Sequence, residues 1–164
     1  MANVFTNDKA CCEAVFINNG GTSVFVAMLA STSAARAATR WEQECAAWIA
    51  AHDQSVYELG VVGFDIDEIA WDRREFAAEK AFVLQAVNDI FSPPWITRWE
   101  EVGYNLPHLE GVIRGFRALV AAYRDDFVEW GKTWHGRRVA QETAMCLVHR
   151  VYLHEHGCVI CNDC

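Results

Sequence analysis

Apolar residues gather early in the chain into two short runs, 11–18 (CCEAVFIN) and 22–30 (TSVFVAMLA), both rich in β-branched and aromatic side chains. Between them Asn18-Asn19-Gly20-Gly21 supplies residues that tolerate positive φ, and the combination predicts a β-hairpin. The period then changes. From about Thr32 to Asp53, Trp41, Cys45, Trp48 and Ile49 recur at steps of three and four with alanines on the same face, which predicts an amphipathic helix. Ser55 to Ile66, rich in Val and aromatics but interrupted by Gly60 and Gly63, reads as a third strand.

Asp72 with Glu75 three residues on has the form of a capping box opening a second helix. Phe76, Val83, Val87 and Ile90 continue one face until Ser92-Pro93-Pro94 stops it. Residues 95–105 read as irregular, with at most a short helical turn, and Trp95 and Trp99 there either cap the core or form an exposed aromatic patch. Pro107 opens the clearest helix, on which Leu109, Val112, Ile113, Phe116, Leu119, Val120, Tyr123, Phe127 and Trp130 hold the helical period over six turns. Gly131 ends it, and a more basic segment follows from Gly136-Arg137-Arg138. The order β-β-α-β-α-α predicts an α+β fold, a small antiparallel sheet packed with three long helices. The predicted division is an α+β domain over 1–135 and a zinc-binding C-terminal hairpin over 136–164.

The chemistry concentrates at that end. Cys146-Leu-Val-His149 is followed by eight residues and then by Cys158-Val-Ile-Cys161. Two residues between paired ligands allow a tight turn that aims both side chains at one point, and two such turns joined by a hairpin complete a tetrahedral Cys3His set. The linking segment has Val151 and Leu153 on one side and Gly157 just before the second turn, as a hairpin requires. The block resembles the zinc-ribbon and zinc-knuckle family in its C-x-x-H…G-C-x-x-C layout, over residues 146–161 only. The expected ligands are therefore Cys146, His149, Cys158 and Cys161, holding a structural Zn2+; Cys164 is a reserve ligand, and His154 and His156 are expected to face solvent on the hairpin.

Composition narrows the picture. In 164 residues, 52% are apolar, enough to bury a core, and 22 acidic against 14 basic residues give a formal charge of -8. Such a field disfavours nucleic acid and anionic lipid and steers in a basic protein partner. The N-terminal residues lack a basic leader followed by an apolar run, and no stretch reaches membrane-spanning length, which points to the cytoplasm. There the seven cysteines stay reduced, and an odd number fits a disulfide framework poorly.

Catalytic constellations are few. His108-Leu-Glu110 with Cys158-x-x-Cys161 matches parts of the zinc deaminase signature, but Gly157 stands where that signature has Pro, and Cys146 and His149 would be left without a role. Cys11, Cys12 or Cys45 with His52 could make a nucleophile pair, although no local signature supports one. Asp65, Asp67, Glu68 and Asp72 could hold a divalent cation; they lack the glycine and terminal Glu of a calcium loop, and helix capping explains them better. Lys132, Arg137, Arg138 and Arg150 form a basic patch with Trp134 and Tyr152 available for stacking, the basis of a nucleic-acid-binding alternative.

The stretch Phe64-Asp65-Ile66-Asp67-Glu68-Ile69-Ala70-Trp71, with Glu75-Phe76 and Glu79-Lys80-Ala81-Phe82 after it, resembles small bacterial immunity proteins of polymorphic toxin systems. The resemblance implies an acidic, non-catalytic protein that occludes a basic toxin. Together these readings predict a non-enzymatic, zinc-containing, protein-binding module, with a metal-dependent hydrolase or deaminase and a nucleic-acid-binding ribbon as alternatives.

Overall fold

A computed structural model of the chain describes residues 3–53, 63–134 and 144–162. The fold is α+β, with more helix and less sheet than the pattern predicts. Strands β1 (Asn3–Phe5) and β2 (Val15–Ile17) pair antiparallel, Val4 opposite Phe16. Five α-helices follow: α1 (Asn19–Arg36), α2 (Arg40–Ala50), α3 (Phe76–Asp89), α4 (Pro93–Glu101) and α5 (Leu106–Ala122).

The run at 22–30, expected as a strand, is the middle of α1. Asn18 is that helix's N-cap, its side chain accepting the Gly21 N–H at 2.7 Å, so the polar cluster read as a hairpin turn is a helix start. Every residue from Phe25 to Ala34 is buried. A helix covered on all sides shows no apolar stripe, and a short apolar run cannot then be told from a buried strand by period. Two of its hydroxyls are satisfied inside the helix: Ser31 Oγ donates to Ala27 O at 2.7 Å and Thr32 Oγ1 to Met28 O at 3.2 Å.

The helix expected over 32–53 is two helices. The Thr39 hydroxyl accepts the Glu42 N–H, and the Glu42 carboxylate accepts the Thr39 N–H at 2.9 Å, a capping box that ends one axis and begins another. Asp72 and Glu75 do not form the box predicted for them. The Asp72 N–H goes to Glu79 Oε2 at 2.7 Å, and α3 begins at Phe76. Residues 95–105, expected to be irregular or to hold a short helical turn, supply most of α4, which opens on Pro93 and Pro94, where a missing N–H costs nothing.

Helix α5 stops at Ala122 rather than running to Trp130. Lys80 Nζ donates to the carbonyls of Ala121 (2.6 Å) and Tyr123 (2.7 Å), placing a cation on the helix C-terminus. Tyr123 turns extended, stacks on Trp71 with ring centroids 5.7 Å apart, and donates its hydroxyl to Asp67. Of the third strand expected over Ser55–Ile66, residues 55–62, Gly60 among them, lie outside the described residues; the remainder makes a parallel bridge, Asp65 beside Thr6. Gly63 is needed there, because a Cβ would come within 1.7 Å of Val4 O.

Helix α1 is the hub, packed against α2, α3 and α5. At one end Phe5, Phe25, Phe64 and Phe116 meet edge to face, centroids 5.1 to 5.3 Å apart in four of their pairs. Each such pair adds about 0.5–1.5 kcal/mol beyond its buried area. Val151, Val159 and Ile160 of the C-terminal segment are buried in this same core. No helix among the described residues is long and apolar enough to cross a membrane.

Candidate metal centre

Two tight turns build the site. In the first, Cys146 N–H donates to Val151 O at 2.8 Å and Arg150 N–H to Cys146 O at 2.9 Å, closing the chain around Leu147, Val148 and His149. Arg150 carries the turn out with φ of 59°. In the second, Asn162 N–H donates to Cys158 O at 3.1 Å. The linking hairpin has antiparallel bridges Met145–Tyr152 and His154–Gly157, and Gly157 takes φ of 108°, a value side chains disfavour.

The turns converge. One donor atom from each of Cys146, His149, Cys158 and Cys161 lies within 4.8 Å of every other, and among the described residues this is the one such group that could hold a metal ion. His149 Nδ1 is 3.3 Å from Cys161 Sγ, 3.6 Å from Cys158 Sγ and 3.9 Å from Cys146 Sγ, and the Cys146 and Cys161 sulfurs are 3.9 Å apart. A tetrahedral zinc centre with Zn–S of about 2.3 Å and Zn–N of about 2.0 Å separates its sulfurs by roughly 3.8 Å and sulfur from nitrogen by roughly 3.5 Å. The donor set therefore fits the metal. A disulfide would need sulfurs at about 2.05 Å, and the six described cysteines are free thiols.

Electrostatics agree with a ligand role. Backbone N–H groups of His149 and Val148 point at Cys146 Sγ and hold its thiol pKa below the ordinary value. Burial pushes the Cys158 thiol up to about 12, opposed by the N–H groups of Cys161 and Ile160. A bound dication reverses such desolvation by stabilising the thiolate. Burial, helped by the Arg98 charge, lowers the His149 pKa and favours the neutral imidazole that ligates metals. Arg98 also donates to His149 O at 2.9 Å, tying the first turn to α4.

Comparison of the chain with protein-family models, with curated proteins and with solved structures finds no match.

The two turns sit differently. Val159 and Ile160, between the ligands of the second, are fully buried, whereas Leu147 and Val148 in the first are 89% and 72% exposed. His154, expected in solvent, is not there: its side chain is buried against Asp53, Nε2 to Oδ2 2.8 Å. Its Nδ1 accepts the His156 N–H at 3.1 Å, so the ring proton is on Nε2 and donates to Asp53. Asn162 Nδ2 donates to the same oxygen at 2.9 Å. Asp53 thus ties both arms of the hairpin to the end of α2, an anchor that no local motif announces. His156 is exposed as expected; Cys164 lies outside the described residues.

The other candidates disperse. His108 and Glu110 are exposed at the start of α5, outside the four-donor group, and Glu110 pairs with Arg114 at 2.7 Å. Cys45 is fully buried, while Cys11 is exposed and Cys12 half-buried. Asp65 caps a short turn with Glu68, and Asp67 binds Lys9 at 3.0 Å and Lys132 at 2.6 Å. The aromatic partners of the basic patch are engaged as well: Tyr152 is buried, and Trp134 packs against Trp41 and Trp48 with its Nε1–H on Glu44. Arg137 and Arg138 lie outside the described residues. Trp99 is buried and donates to Ile90 O at 2.9 Å, with Trp95 stacked on it at 5.0 Å.

Proposed function

We propose that the chain is a non-enzymatic, zinc-stapled protein-binding module, with Cys146, His149, Cys158 and Cys161 holding one structural Zn2+. The observation that carries the reading is the donor geometry: four protein ligands around one point fill a tetrahedral sphere and leave no position for an activated water. Zinc bound there would supply folding energy, on the order of 10 kcal/mol in isolated fingers. It would also rigidify the turn that presents Leu147 and Val148 to solvent, an apolar tip suited to a partner's surface. The charge of -8 favours a basic partner. Neutralisation of a basic toxin is the sharpest form of this reading, supported by the acidity and by the resemblance over 64–82.

Purified protein is expected to contain one zinc per chain. Its cobalt-substituted form should show the absorption of a tetrahedral Cys3His centre, and Cys158→Ala should lose the metal and melt at a lower temperature. Sub-stoichiometric metal with a melting temperature indifferent to chelator would overturn the metal centre. For the toxin form, a toxin gene beside this one and rescue of cells by co-expression are the expected results, and failure of rescue overturns it.

A further inference from the structure

A hollow of about 410 Å3, lined by none of the four metal donors, is walled by Trp41, Trp71, Trp134 and the largely exposed Trp130. That volume lies within the roughly 300–1,000 Å3 of small-molecule sites. Trp41 stacks on Trp71 at 5.8 Å and lies 5.6 Å from Trp134, so three of the indoles pack together; Trp71 is itself buried, and Trp41, Trp134 and Trp130 carry the accessible ring surface. At its edge the Arg73 and Arg74 guanidiniums lie over the Trp130 ring, 5.5 and 5.8 Å from its centroid.

The charges around the hollow are mostly spent. Glu44 uses one oxygen on Arg40 (2.8 Å) and the other on Trp134 Nε1 (3.1 Å). Lys132 is on Asp67, and Asp72 accepts the Arg74 backbone N–H at 2.9 Å. Among the described residues neither Arg73 nor Arg74 makes an ion pair; Arg73 is close enough to influence Asp126, whose carboxylate is already held by Arg124. Two guanidiniums beside an aromatic wall, neither in an ion pair among the described residues, are unsuited to a cationic ligand, although tryptophan walls alone would attract one. They suit an anion, because a guanidinium meets a carboxylate or phosphate with a matched fork of donors. The acidic average of the molecule does not prevent this, since charges beyond a Debye length of about 8 Å are screened.

From this we infer that the hollow is a binding site for a small planar aromatic anion, its ring on the tryptophan wall and its charged group on Arg73 and Arg74. The site is independent of the zinc reading.

Phenyl phosphate titrated into the full chain, followed by calorimetry and by the indole N–H signals of Trp130 and Trp134, tests it. The expected result is saturable binding below millimolar concentration, with benzyl alcohol and inorganic phosphate each at least about tenfold weaker. Replacing both arginines (Arg73→Gln with Arg74→Gln), or Trp130→Ala, should weaken phenyl phosphate about tenfold while the melting temperature stays put. Arg117→Gln, away from the hollow, should leave binding unchanged. Absence of saturation, equal binding of the neutral ring, or arginine variants that bind like the parent would overturn the site. A phosphotyrosine peptide binding more than about tenfold tighter than phenyl phosphate would overturn the small-molecule assignment in favour of a peptide partner.

Discussion

Glu79 is a carboxyl held inside the protein, 6% exposed, with the Asp72 N–H as its bonded partner. Burial, reinforced by the charges of Asp72 and Glu75 and opposed by that N–H, raises its pKa from 4.5 to about 7. A carboxyl with a folded-state pKa above its unfolded value binds protons more tightly when folded, so it lowers stability as pH rises between the two values. The group's contribution should therefore fall between pH 4.5 and about 7, by on the order of 3 kcal/mol. Glu79→Gln keeps an acceptor for the Asp72 N–H but cannot ionise. Chemical denaturation across this range should find the variant more stable than the parent at pH 8 and the two closer at pH 4; parallel profiles would refute the assignment.

At the scale of elements, termini decide the architecture more than helix interiors do. The Thr39–Glu42 box separates α1 from α2, and it was readable as a T-x-x-E signature within what the apolar period alone treats as one helix. Thr39→Ala is expected to cost about 1 kcal/mol, seen as a lower midpoint in urea with an unchanged slope. No change in midpoint would mean that packing against α1 defines the start of α2 without the cap. The end of α5 is a different case. Lys80 reaches it from α3, forty-one residues from Ala121 in sequence, and Tyr123 leaves the helix to reach Trp71 and Asp67. No window of local sequence contains those partners.

Across the whole molecule, the C-terminal segment is secured in three ways: by its four convergent donors, by Val151, Val159 and Ile160 in the main core, and by Asp53. Asp53→Ala would leave the buried His154 Nε2–H without its acceptor and take one acceptor from Asn162, and an unsatisfied buried donor costs about 1–3 kcal/mol. Calorimetry should record the destabilisation, and amide exchange over 144–162 should accelerate while metal content is retained. Unaltered exchange there would show that the donors and the apolar contacts hold the segment by themselves.

The sequence by itself determined what depends on near neighbours. The two donor pairs, Cys146 with His149 and Cys158 with Cys161, each spaced by two residues and joined through Gly157, were legible because a tight turn and a hairpin are local geometry. So was the apolar face of Cys45, Trp48 and Ile49, whose period the helix imposes. Tertiary structure decided the rest. Residues 22–30 became helix because α2, α3 and α5 enclose them, a condition their own period cannot express. Asp67 became an ion-pair centre rather than part of a helix-capping loop because Lys9 and Lys132 arrive from distant segments. His154 left solvent for Asp53, and Trp71 and Trp134 packed onto Trp41, for the same reason: burial and charge pairing are settled by groups that meet only after the chain has folded.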